Sequence, residues 1–375
     1  MLLAYFVYIS LMLVMVVFAL KQMRLNKYWG VMTGIPIILF SMVIGLRYNV
    51  GMDYMTYYYS YISQSSQGMD YSFFEPGFVG LNKLLFLSGF PVYSLFICVA
   101  FLQVICFYKA FQDKAYLLPF AVYALFVLGH VFFMMNGLRQ GIAQMVMFVG
   151  LRYAFDKRNI WKFLICLIIA ISFHYSALIC LPMIVLCFMQ ERTKLDSRWV
   201  LSGIFISIIV FHEFLFDKFL VVFDSFLTNF NFSELSNLGL SEDSLSKFGG
   251  AWQLTMGTGL GQITNYIIVL LFIYSSKYLY SIYGMAFQNY FRLFYIGELI
   301  LVVAGLDMNL RRLSFYFVIF NIMLVSFLFY IICKRWGVLP AIIKSFGVIL
   351  FFYYLFLFLF KIYMGESMCS PYQFV

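Results

Sequence analysis

The run "MLLAYFVYISLMLVMVVFAL", residues 1–20, contains no charged side chain. About 20 apolar residues are enough for a helix to cross the hydrocarbon core of a bilayer. No basic residue precedes the run and no small-residue cleavage site follows it, so it reads as a retained first span and not as a removed signal peptide. Blocks of the same kind, separated by short polar connections, recur as far as Phe360. Candidate spans cover 2–20, 29–46, 91–110, 116–135, 138–155, 163–189, 199–216, 263–281, 290–306, 313–333 and 338–360. The chain therefore reads as all-α: one polytopic helical membrane domain over 1–375, with about 11–12 transmembrane segments, a large external loop and re-entrant helices.

Composition supports this and excludes much else. Of 375 residues, 64% are hydrophobic, 22% aromatic and only 11% charged, and the mean hydropathy is +0.93. A soluble domain carries roughly a quarter charged residues. An outer-membrane barrel would show ~10-residue alternating segments, not unbroken apolar blocks. The net charge of +9 reports membrane orientation and implies no nucleic-acid partner. Six of the seven cysteines lie in apolar segments without a C-x-x-C pair, which suits buried thiols. P-loop, G-x-G-x-x-G and H-E-x-x-H motifs are absent, so neither a metal nor a cofactor is expected.

Basic residues orient the spans. Lys21, Arg24 and Lys27 place the first connection inside and the N-terminus outside. Residues 47–76 are then external, Lys109 and Lys114 internal, Asn136 to Arg139 external, and Lys157, Arg158 and Lys162 internal. The run 163–189 is long for one crossing and contains "SFHYSALICLP". A single crossing leaves Lys334, Arg335 and the basic 190–198 outside, whereas a break near His174 with a return keeps every strongly basic loop inside. The break is the better account, and broken helices build sites at membrane depth. The longest hydrophilic segment, 217–261, then lies outside, and 77–89 is too short to span.

Charges near bilayer depth are costly, so those at span ends invite a functional reading. Arg47, Asp53, Glu75, Arg139, His174, Arg311 and Arg312 fall on the outer face. Arginines there run against the positive-inside rule, and converging guanidinium forks would bind pyrophosphate. The competing reading has each arginine snorkel to headgroups or pair with Asp53, Glu75 or Asp307. Asp53, Glu75 and His174 are the candidate proton carriers, against a structural alternative in which Asp53 pairs with Arg47 and His174 is a satisfied buried histidine. His130 and His212 have no polar company in the sequence and read as structural. Tyr48, Tyr54, Tyr57, Tyr58, Tyr59, Tyr61 and Phe73 read first as an interfacial aromatic belt and second as stacking platforms for sugars. No acidic residue stands out inside a span, which ranks an ion transporter last.

The stretches "LRYNVGMDYMTYY" (46–58), "FFEPGFVGLNKL" (73–84), "NGLRQGIAQMVMFVGLRYAFDKR" (136–158) and "ISFHYSALICLPMIVL" (171–186), with "NLRRLSFYF" (309–317) and "PYQFV" (371–375), resemble the EpsG family of bacterial polysaccharide synthesis, which overlaps with Wzy-type polymerases. The resemblance implies a bacterial cytoplasmic-membrane enzyme, with its site facing outward, that joins undecaprenyl-pyrophosphate-linked repeat units of O-antigen, capsule or exopolysaccharide. It implies Asp53, Glu75 and His174 as catalytic candidates, and Arg47, Tyr54, Arg139, Gln140, Arg311 and Arg312 as contacts for pyrophosphate and sugar. Met52 and the doubled Arg311–Arg312 depart from the pattern. The implied partners are the lipid-linked donor and acceptor, membrane lipid and a chain-length regulator protein. The rivals are a flippase of the lipid-linked unit, a glycan ligase and a sugar acyltransferase.

Overall fold

The structure is a computed structural model that describes residues 1–63, 74–189, 191–229, 259–305 and 307–375. Phe73, most of the 217–261 loop and part of the 47–76 loop lie outside those residues. Apart from one isolated bridge, the described residues form helices, turns and loops. Packing divides them into two compact units, Met1–Phe188 with Ile322–Val375, and Met189–Asn321.

The first unit contains α1 (Leu2–Gln22), α2 (Val31–Gly45), α3 (Tyr54–Ile62), α4 (Pro76–Leu87), α5 (Tyr93–Ala110), α6 (Leu118–Val127), α7 (His130–Asn136), α8 (Leu138–Lys157), α9 (Ile160–Phe173) and α10 (Val185–Phe188). The second contains α11 (Arg198–Asn229), α12 (Gly259–Tyr283), α13 (Met285–Ala304) and α14 (Met308–Val318). After α14 come α15 (Asn321–Arg335) and α16 (Ala341–Met364), which belong to the first unit.

Among the described residues, five helices are long and apolar enough to cross a membrane, or six if the bent pair Gln112–Val127 and His130–Asn136 is one span. The remaining runs of the sequence are helices that are short, broken or polar. Helix α2 has 15 residues. Helix α8 carries Arg139, Gln140, Gln144 and Arg152, and α13 carries Gln288, Asn289, Arg292 and Glu298. The run expected to cross as 116–135 bends by 63° between α6 and α7. Helix α11 continues through Asn229, past the expected span end at 216, with non-helical backbone at Phe211.

In the first unit, α8 packs on α9 and α5, α2 on α5, and α1 on α2 and α6. Polar contacts sort into two faces. At one, Lys114 pairs with Asp156, and Arg152 Nη2 lies 2.7 Å from Asp113 Oδ2. At the other, Arg47 forms an antiparallel bridge with Phe374, and Asn136 Nδ2 donates to Ser367 O at 3.2 Å. Helix α9, with 14 residues, rises only ~21 Å at 1.5 Å per residue and falls short of a bilayer core. It ends at His174, where the backbone is extended (φ −161°, ψ 115°). The following 3₁₀ segment, Tyr175–Ile184, packs against both α8 and α9.

Candidate functional site

The site at the Arg47 face is assembled from helix ends. Glu75 occupies the N-terminal cap of α4, with Pro76 at the first helical position. A Cβ on Gly77 would lie 2.6 Å from Ser172 Oγ and 2.7 Å from Ser172 O, so only glycine lets α4 approach α9 this closely. That approach brings Glu75 to His174, with His174 Nδ1 at 2.5 Å from Glu75 Oε1. Tyr175 N donates to the same oxygen at 3.3 Å. Arg139, in the first turn of α8, pairs with Glu75 Oε2. The face of its guanidinium lies 4.8 Å from the Phe74 ring centroid, and it hydrogen-bonds the Tyr57 side chain of α3.

One carboxylate thus joins the arginine and the histidine. The side chain of Glu75 is 2% exposed, against 23% for Arg139 and 19% for His174. Burial alone raises the Glu75 carboxyl, but the His174 hydrogen bond and the Arg139 guanidinium reverse this and hold it below the ordinary glutamate value. Glu75 is therefore a fixed anion and a poor proton acceptor at neutral pH. In a neutral imidazole whose Nδ1 donates to Glu75, Nε2 carries the lone pair. An orienting carboxylate behind a histidine is the arrangement used in general-base catalysis. A depressed folded-state pKa gives stability that is present above the unfolded value and is lost as pH falls through the folded value. The melting-temperature gap between the protein and Glu75→Gln is thus expected to hold from pH 7 to about 4.5, the ordinary glutamate value, and to close below it. Thermal melts in detergent across that range check this.

Arg47 is placed differently from the anion contact expected of it. It is 1% exposed. Its Nε donates to Val50 O at 3.0 Å, Nη1 to Ile44 O at 2.5 Å and Nη2 to Met135 O at 2.7 Å. Its guanidinium lies 5.1 Å from the Phe96 ring centroid and 5.7 Å from that of Tyr54. It collects carbonyls freed where α2 ends, and among the described residues it makes no ion pair, so the expected alternative of an Arg47–Asp53 pair is not formed. Asp53 is half-buried at the cap of α3. Tyr54 stacks on Phe96 at 4.4 Å. Gln140 is buried beside Arg139 in α8. Arg311 and Arg312 belong to the second unit, where Arg311 Nη1 donates to Gly305 O at 2.7 Å and Arg312 is exposed.

Sequence reasoning passed over three contributors. Tyr57 and Phe74 embrace Arg139, but in the sequence Tyr57 is one of a row of tyrosines that a membrane interface explains equally well. Asn136 is the third. Its Oδ1 accepts from Met52 N at 2.5 Å while Nδ2 donates to Phe132 O and Ser367 O. It thereby ties the 51–52 turn and the C-terminal segment to the start of α8, one turn from Arg139. Gly51 is required beside it, because φ is +107° and a Cβ would lie 2.9 Å from Asn136 Oδ1. The sequence does carry a signal here, Asn-Gly being a turn dipeptide. Glu298 was also missed. It is a buried acid within the 290–306 run, which corrects the expectation that no acidic residue sits inside a span.

No curated protein and no solved structure matches the chain. The EpsG family model matches residues 30–374, a range that includes every residue of this site. By that match the chain belongs to the EpsG family, multi-pass membrane proteins linked to exopolysaccharide biosynthesis.

Proposed function

We propose that this protein is a polymerase that joins lipid-linked oligosaccharide repeat units at the outer face of the bacterial cytoplasmic membrane. The observation that carries the reading is the single carboxylate, Glu75, that fixes both a guanidinium and an imidazole at one face of the first unit. Positive-inside counting puts that face outward, because Lys109, Lys114, Lys157, Arg158 and Lys162 gather at the other end of the spans.

In the reaction, the acceptor sugar hydroxyl attacks the anomeric carbon of the donor chain. The new glycosidic C–O bond forms as the bond from that carbon to the lipid pyrophosphate breaks, and undecaprenyl pyrophosphate leaves with the electron pair. His174 Nε2 receives the hydroxyl proton while Glu75 holds the ring and stabilises the imidazolium. Arg139 meets the charge that develops on the departing pyrophosphate. Its pairing with Glu75 and its packing on Phe74 fix the guanidinium before substrate arrives. Asp53 and Tyr54, one turn from Tyr57 on α3, flank this centre as candidate contacts for sugar, with Gln140 beside Arg139. A chain-length regulator remains a proposed partner.

Deletion of the gene tests the reading. The surface polysaccharide ladder is expected to collapse to a single repeat unit, because units still cross the membrane and only their joining fails. Loss of all such glycan with lipid-linked units retained inside would mark a flippase instead.

A further inference from the structure

The face of the first unit opposite Glu75, Arg139 and His174 carries a charged cluster that the proposed reaction does not use. Arg152, on α8, is 4% exposed. Its Nε and Nη2 each lie 2.7 Å from Asp113 Oδ2, while Nη1 is buried without a hydrogen-bond partner. A buried donor left unpaired is costly, and more so when it carries charge. Such a group calls for an acceptor that the chain itself does not supply.

Further cations stand beside it. Lys109, half-buried near the end of α5, lies within Coulombic reach of Arg152, Asp113 and Lys162. Lys162 Nζ, in the first turn of α9, is 5.1 Å from the Tyr153 ring centroid, and the Arg152 guanidinium lies 5.3 Å from the same centroid. Among the described residues, neither lysine forms an ion pair. Lys157 Nζ lies 3.2 Å from Asp113 Oδ1, and Asp156 is taken by Lys114. Asp113 thus faces several cations, whose mutual repulsion an anion would relieve. Exposure rises from buried Arg152 through half-buried Lys109 to exposed Lys162, so the cluster opens outward from a buried base. Two tryptophans set its depth. The Trp29 ring centroid lies 5.5 Å from Lys109 Nζ, on a loop pinned by Tyr28 Oη donating to Tyr108 O at 2.6 Å. Trp161, next to Lys162, is 78% exposed. Tryptophan concentrates at the level of lipid headgroups. Positive-inside counting makes this face cytoplasmic, and basic clusters between helix ends on that side hold the phosphates of anionic lipids. Guanidinium and ammonium groups both suit phosphate oxygens.

We propose that Arg152, Lys109 and Lys162 bind the phosphate of an anionic lipid of the inner leaflet. Full-length protein in maltoside detergent is titrated with dioleoylphosphatidylglycerol while its melting temperature is followed. A saturable rise is expected, since a ligand that binds only the folded state stabilises it. Dioleoylphosphatidylcholine, whose phosphate is balanced by choline, is expected to give no shift. The phosphatidylglycerol concentration at half the shift is expected to rise about tenfold in Lys109→Gln/Lys162→Gln, because each basic residue near the surface contributes to holding an anionic lipid. That variant leaves the Arg152–Asp113 pair in place, so it decides where Arg152→Gln does not fold. Lys334→Gln/Arg335→Gln, which removes the same charge from two exposed positions elsewhere, is expected to bind as the parent does. An equal shift with phosphatidylcholine, an unchanged midpoint in the folded Lys109→Gln/Lys162→Gln protein, or an equal loss in Lys334→Gln/Arg335→Gln overturns the proposal. Sodium phosphate that reproduces the shift at the lipid's own concentrations also overturns it, by assigning the cluster to a soluble anion.

Discussion

Arg139→Ala is expected to abolish the polymer ladder while single repeat units still reach the cell surface. Removing one preorganised charge from a developing oxyanion lowers a rate by about 10²–10³-fold, enough to reduce a long ladder to its first rung. The same change leaves Glu75 buried with one fewer partner, and breaking a buried pair costs on the order of 3 kcal/mol. Arg139→Lys separates the two effects. Lysine keeps a positive charge beside Glu75 but loses the planar fork that grips phosphate oxygens in pairs. Its protein level and melting temperature are expected to stay near those of the parent while chain extension still falls by at least tenfold. A full-length ladder in Arg139→Lys would reduce Arg139 to a structural counter-ion of Glu75. Gels of surface polysaccharide beside membrane immunoblots make both comparisons.

The second large effect belongs to His174. A glutamine at 174 can still donate to Glu75, so the α4–α9 contact is kept, yet it has no nitrogen able to take a proton. Loss of general-base assistance is worth about 10²–10⁴-fold. His174→Gln is therefore expected to reach the membrane normally and to stop at single units. A normal ladder in that variant would make the histidine an anchor for Glu75 and move the proton to another acceptor, with Asp53 the remaining candidate.

The fold class was plain in the apolar runs, because twenty uncharged residues in a row have few other physical meanings. The breaks were harder to see. His174 was legible as one, since 163–189 is long for a single crossing and carries polar residues in its middle. The bend between α6 and α7 was not, because 116–135 has ordinary span length and its bend depends on packing. The site itself was half legible. Glu75, Arg139 and His174 each stood out as polar residues at span ends, but their meeting was hidden, since the pairs are separated by 64 and 99 positions in the chain. Arg47 shows the opposite limit. In the sequence it looks like a ligand-binding arginine, while in space its donors go to the carbonyls of Ile44, Val50 and Met135. A sequence does not show which carbonyls a helix end leaves unpaired. Tyr57 was hidden for another reason, since one tyrosine among several neighbours carries no mark of the one that turns inward.

The most direct test of the central claim is reconstitution. Purified protein in liposomes, given undecaprenyl-pyrophosphate-linked repeat units from the source strain and no other protein, is expected to produce a ladder of lengthening glycan on the lipid, with release of undecaprenyl pyrophosphate. Liposomes carrying His174→Gln are expected to leave the units single. Units that change leaflet without ever lengthening would contradict the account and assign the protein to transport.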